Sequence, residues 1–286
     1  MTGLMATIVV GNRKGFGRDP YEPHNILLTS IGAALLWVGW TGFSAGASLT
    51  GALMQPAFMK GITLISAVSS LANAQAAQAI LNTQIAASAS ALSWVATEAL
   101  LRKPPSALGL ISGSIAGLVA ITPGCGWVDQ TGAFFIGLLA GPWCYGGAQL
   151  KHYFGYDDAL DAFGVHATGG LLGGILTGFF ANPTFFGPYI PGGAPRPINP
   201  ESRYYPGVFY AIGEKDQQAQ LATQAYAFSC TILYSSVASL LLLKAVDLTL
   251  GLRAPDEDLM MNIDASMHDE TPTLYEKDLD STVTEH

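Results

Sequence analysis

The chain has 286 residues, half of them hydrophobic and only 12% charged, with a mean hydropathy of +0.34. Soluble domains carry about 25% charged residues, so this balance excludes an ordinary soluble fold and points to an all-α, polytopic integral membrane protein. The net charge of −8 sits in one place: Ala254–His286 holds ten acids and one base, leaving eleven acids against twelve bases elsewhere.

The N-terminal apolar stretch is followed by Arg13 and Lys14 and lacks a cleavage-like site, so it does not read as a signal peptide. A bilayer-crossing helix needs ~20 mostly apolar residues. Six segments qualify in turn: Ile26–Phe43, Gln78–Leu101, Leu108–Thr122, Ala133–Leu150, Ala162–Ala181 and Ala222–Leu250. The second is interrupted by Gln78, Asn82 and Gln84, and the third runs into Pro123 and Gly124, which break a helix. Thr50–Leu71 is apolar but split by Pro56 and Lys60, and reads as an interfacial or re-entrant piece rather than a span.

If Arg13, Lys14 and Arg18 are cytoplasmic, alternating crossings also place Arg102, Lys103, Lys151, Lys244, Arg253 and Lys277 inside. Nine of the thirteen basic residues then obey the positive-inside rule. The long Asn182–Gln220 loop is outside in this reading, and the acidic tail stays in cytoplasmic water.

Cys125, Cys144 and Cys230 lack metal-ligand spacing and read as buried thiols. No cofactor or metal set is implied, and no basic patch suggests nucleic acid.

The residue most in need of explanation is His166, in the run Asp158–Phe180, "DALDAFGVHATGGLLGGILTGFF". Ionisable residues inside a membrane are expensive and mark pathways by default; a hydrogen-bonded packing histidine is the plainer alternative. Apolar surroundings disfavour the charged imidazolium, and a neutral imidazole keeps one donor and one acceptor, so it can pass a proton. Gly169, Gly173, Gly170, Gly174 and Gly178 recur at spacings of four, which makes a flat face for another helix. Asp157, Asp158 and Asp161 precede the fifth span, where carboxylates complement the helix dipole. Glu98 and Asp247 lie near helix ends and read as paired or snorkelling. Trp37, Trp40 and Phe43 cluster at the outer end of the first span, as an aromatic belt or a cation-binding vestibule.

One enzyme pattern competes. "HATGGLLGG" fits the histidine helix of rhomboid intramembrane proteases, with Ser112 two spans earlier, but Leu110 stands where that family needs its first glycine. The oxyanion site would be obstructed, so the chain reads as a non-enzyme.

Five segments together resemble the ammonium transporters, in the Amt and Mep branch: "GFGRDPYEPHN", "GWTGFSAGAS", "RKPPSALGLISGSIAGLVAITPGCGWV", "DDALDAFGVHATGG" and "DLTLGLRAPDED". The resemblance implies a trimer of eleven-helix protomers, each with a narrow hydrophobic pore for ammonium or ammonia, in the plasma membrane. It matches His166 to one of two pore histidines, Phe43 to one of two stacked phenylalanines at the outer mouth, and Trp40 to a position one turn away. Asp158 and Asp161 would support the histidine helix. By the same alignment Met1 falls inside the family's fifth helix. Residues 1–25 would be a truncated helix end and cytoplasmic loop, 26–250 the transmembrane region with an insertion at 50–71, and 251–286 the tail. The first pore histidine and the second gate phenylalanine would then lie outside this sequence. Such a chain transports incompletely, assembles as a homotrimer or with intact subunits, or is a non-transporting fragment or regulatory subunit. Ala47 replaces a serine frequent in the family, and Ser266 lies where plant-type members carry a regulatory threonine.

Overall fold

A computed structural model describes residues 1–18, 25–53, 74–101, 104–185, 206–211 and 218–254, and every regular element among them is helical. The helices are α1 (Thr2–Val10), α2 (Ile26–Leu53), α3 (Ala74–Leu101), α4 (Ala107–Ile121), α5 (Gln130–Phe154), α6 (Thr168–Phe180) and α7 (Ala219–Thr249). A π-turn, Phe163–Ala167, leads into α6. The six expected segments are all helical. Ile26–Ala47, Phe163–Phe180 and Ala219–Thr249 are each long and apolar enough to cross a membrane, and α4 is a shorter apolar helix.

The first span is longer than expected. α2 continues past Phe43 to Leu53, since nothing before Pro56 interrupts it, while the stretch apolar enough to cross a membrane ends at Ala47, so Trp40 and Phe43 lie in its last two turns. The awkward Thr50–Leu71 stretch therefore begins as the end of α2; from residue 54 onward it lies outside the described residues, as do most of the 182–220 loop and the tail with Ser266.

α3 forms the centre of the packing. Its alanines and serines allow α4 and α5 to approach from two sides: a Cβ on either Gly117 of α4 or Gly137 of α5 would strike the backbone of Ala86. Small residues at helix contacts provide van der Waals packing where lipid supplies no hydrophobic drive. The polar residues that interrupt α3 in sequence are ties rather than breaks. Asn82, fully buried, donates to the carbonyls of Cys125 (2.8 Å) and Val128 (2.7 Å), and Gln78 donates to Val128 as well (3.0 Å). These bonds satisfy carbonyls in the tight turns that follow α4, which ends at Ile121 just before Pro123. Near the other end of α3, buried Glu98 accepts from the backbone N–H of Ser106 (2.8 Å) and from its hydroxyl, while Ser106 Oγ caps α4 by accepting from Gly109 N–H (2.8 Å).

The glycine face of α6 packs against two helices. A Cβ at Gly173 would meet the Ala120 carbonyl of α4, and one at Gly174 the Phe228 ring of α7. At the far end of α6 the last carbonyls would otherwise be orphaned. The 206–211 segment returns to cover them, with Val208 N–H donating to Gly178 O (3.0 Å), Phe209 N–H to Phe179 O (3.1 Å) and Gly207 N–H to Ala181 O (2.8 Å). Tyr210 donates its hydroxyl to Asp129 (2.7 Å), whose other oxygen caps α5 at Gly132.

Cys125 and Cys144 are buried, but Cys230 is exposed: α7 packs on the rest of the protein along a narrow strip, and this thiol lies off it.

Candidate functional site

The centre of the site is Trp40. Its ring lies nearly parallel to the His166 imidazole, with 6.2 Å between centroids and 21° between planes. Phe43, one turn further along α2, meets Trp40 edge-on at 6.2 Å and 70°. The structure thus brings together the three residues the sequence marked from two distant segments.

The orientation of Trp40 is fixed by a residue that sequence reasoning missed. Its indole nitrogen donates to Thr122 Oγ1 (2.7 Å), which itself donates back to Leu118 O (2.7 Å) in α4. A second indole, Trp37, donates to Gln84 Oε1 (2.8 Å), and Gln84 Nε2 donates to Thr41 Oγ1 (3.0 Å). A buried indole N–H needs a partner, and Gln84 and Thr122 are polar residues within apolar runs. That was the available signal.

His166 lies in the π-turn. Gly164 and Val165 are buried against α5, where a Cβ on Gly164 would press on the Ala148 backbone at 2.7 Å. Thr168 Oγ1 donates to Gly164 O (2.5 Å), holding the turn from within. A π-turn carries more residues per turn than an α-helix, so it re-aims one side chain without ending the helix. Here the imidazole comes out against Trp40 and is otherwise exposed. The apolar enclosure expected around it is present on one side only; Phe43 is likewise 63% exposed.

The aspartates before the turn have separate partners. Asp158 accepts from the backbone N–H groups of Ala162 (3.0 Å), Phe163 (2.8 Å) and Gly164 (3.4 Å), the orphan donors of a helix start. Asp157 is paired with Arg13, whose Nε and Nη2 both lie 2.7 Å from its carboxylate oxygens. The guanidinium holds the Asp157 carboxyl below its ordinary range. Asp161 takes a left-handed backbone (φ 53°) and accepts from Lys151 Nζ (2.6 Å). Its burial pushes that carboxyl upward despite the lysine. Asp247 pairs with Lys244 at 3.4 Å. No cluster of three or more His, Cys, Asp or Glu among the described residues could hold a metal ion.

The family model described as Ammonium Transporter Family matches residues 1–273. The chain belongs to that family. It is 35% identical over 271 residues to the ammonium transporter of Bacillus subtilis, covering 94% of this chain and 56% of the relative. Against ammonium transporter Amt1 of Archaeoglobus fulgidus the identity is 34% over 267 residues, covering 93% of this chain and 57% of the relative. Among solved structures, Saccharomyces cerevisiae Mep2 superimposes with a TM-score of 0.67 at 25% identity, covering 88% of this chain and 50% of that one. The chain spans about half the length of these relatives. Membership and likeness establish an all-helical, polytopic membrane fold of the Amt and Mep type.

Proposed function

We propose that this chain supplies one side of a path by which ammonium or ammonia crosses the membrane, lined by Phe43, Trp40 and His166. The observation that carries the reading is the continuous contact of Phe43, Trp40 and His166, on a face where His166 and Phe43 are exposed. Aromatic faces attract a small cation by ~0.5–2 kcal/mol, which suits them to receive ammonium before it enters an apolar stretch. A hydrated ion pays a heavy desolvation cost there. Deprotonation near the aromatic residues lets neutral ammonia pass, and an imidazole with one donor and one acceptor relays the proton. Potassium has no proton to give up and is rejected. His166→Ala and His166→Glu in a cell lacking its own ammonium transporters test this: both reduce ammonium uptake or admit potassium. Unchanged uptake with unchanged potassium exclusion would overturn it.

A second reading is favoured by the exposure of Phe43 and His166. An exposed face conducts nothing selectively until further protein covers it, from the same polypeptide or another. A homotrimer, or a mixed trimer with intact subunits, in the plasma membrane with the C-terminus cytoplasmic completes this proposal. Asp158 and Asp161 support the start of the histidine helix, and Ser266 is offered as a phosphorylation site in the tail. Uptake in cells expressing this sequence alone, compared with cells that also hold a full-length family member, separates the two readings.

A further inference from the structure

We propose that Arg13 is a positioning residue for His166, fixing the loop that sets the π-turn without touching the imidazole. The inference rests on the reading of His166 as a pore residue.

Among the described residues the His166 ring makes no hydrogen bond, so its aim depends on the backbone that carries it and on Trp40. That backbone starts at the three N–H groups held by Asp158. Asp158 can hold them only if its own loop is fixed; Lys151 Nζ reaches its carbonyl (3.3 Å), and the adjoining Asp157 supplies a second hold. Asp157 receives Arg13 Nε (2.7 Å), Nη2 (2.7 Å) and the Arg13 backbone N–H (2.9 Å), and its side chain is only 4% exposed. Exposed ion pairs contribute little. This one differs, because a planar guanidinium engages both carboxylate oxygens and a main-chain donor adds direction. A shared peptide joins Asp157 to Asp158, so displacement of one moves the other.

The arginine is itself anchored from two sides. Asn12 Nδ2 donates to Gly155 O (2.8 Å), at the left-handed residue that ends α5. Arg253, just past α7, donates through Nη1 to the carbonyls of Val10 (3.0 Å) and Asn12 (2.9 Å). Residues 10–13 therefore form a strap from the end of α7 to the turn before the histidine. In sequence Arg13 is one of several basic residues at an inner helix end; only the fold puts it one residue away from the carboxylate that starts the π-turn.

Hydrogen exchange on the whole chain in lipid nanodiscs tests the strap without depending on transport. Arg13→Ala raises exchange at the amides of Ala162, Phe163 and Gly164 by about tenfold, the scale of losing a charge-assisted pair that closes a local opening. Amides of α3 around Ala86 keep their protection. Arg13→Lys, which keeps the charge but not the fork, falls between, and the exchanged pair Arg13→Asp with Asp157→Arg recovers part of the protection. Should Arg13→Ala loosen every helix, the isosteric Asp157→Asn decides by the same amides. Unchanged exchange at residues 162–164 in Asp157→Asn overturns the proposal. Ammonium permeation measured in parallel keeps the two ideas apart. Where the parent chain, alone or beside a full-length family member, permeates ammonium, faster exchange with unchanged permeation removes His166 from the path and leaves the positioning role standing; unchanged exchange ends that role whatever permeation does.

Discussion

The indole of Trp40 lies against the imidazole of His166 while its nitrogen is held by Thr122, so one side chain of α2 ties the π-turn to the end of α4. Replacing Thr122 with valine keeps the shape and removes the acceptor. The indole N–H then loses a bond with a net value of about 1 kcal/mol, and Trp40 loses its fixed orientation. Thermal unfolding in detergent is expected to shift only modestly, with a larger loss in ammonium uptake; a shift in stability alone would separate Trp40 from the path.

Asn82 bridges α3 to the turns after α4, through the carbonyls of two buried residues. Asn82→Leu leaves both without this donor and is expected to destabilise the fold by about 1–3 kcal/mol. The midpoint of unfolding in detergent, followed by circular dichroism, measures it. Little change would mean that Gln78 alone satisfies Val128.

Two neighbouring glycines of α6 should respond oppositely. A Cβ at Gly173 would collide with the Ala120 carbonyl, while at Gly170 it meets nothing within 4 Å. Gly173→Ala is expected to cost about 1–3 kcal/mol by overpacking, and Gly170→Ala to stay within about 0.5 kcal/mol of the parent. Thermal stability of the two variants side by side checks the helix contact.

Acid should weaken the Arg13 strap. Asp157 is held below its ordinary value of 3.8, so its contribution to stability is fully present above that pH and is lost as pH falls through the lowered value. Asp161 has the opposite sign. Its raised carboxyl costs stability at neutral pH, and protonation on acidification relieves that cost. The stability gap between the parent and Asp157→Asn is therefore expected to narrow as pH drops below 3.8 toward the lowered value. Unfolding midpoints across that range measure it; a constant gap would show that the carboxylate's charge does not stabilise the fold.

The sequence by itself determined the class and the six helices, and it marked the three residues of the proposed site. Low charge and long apolar runs leave a chain few options in lipid, because every backbone group must be satisfied within helices. His166 was conspicuous because an ionisable group is costly in such a run. What the sequence misread was decided by partners. Gln78, Asn82 and Gln84 looked like interruptions because hydropathy counts a polar side chain as a cost, and only packing shows the carbonyl or indole that absorbs it. Phe43 looked like a helix end, although the chain kept helical geometry to Leu53. The stacking of Trp40 on His166, the hold of Thr122 on that indole and the pairing of Arg13 with Asp157 join residues far apart in the chain. No local periodicity encodes such contacts. They exist because α4 and α6 pack closely on small residues, and α2 and the loop before α6 are held against them by these side-chain contacts.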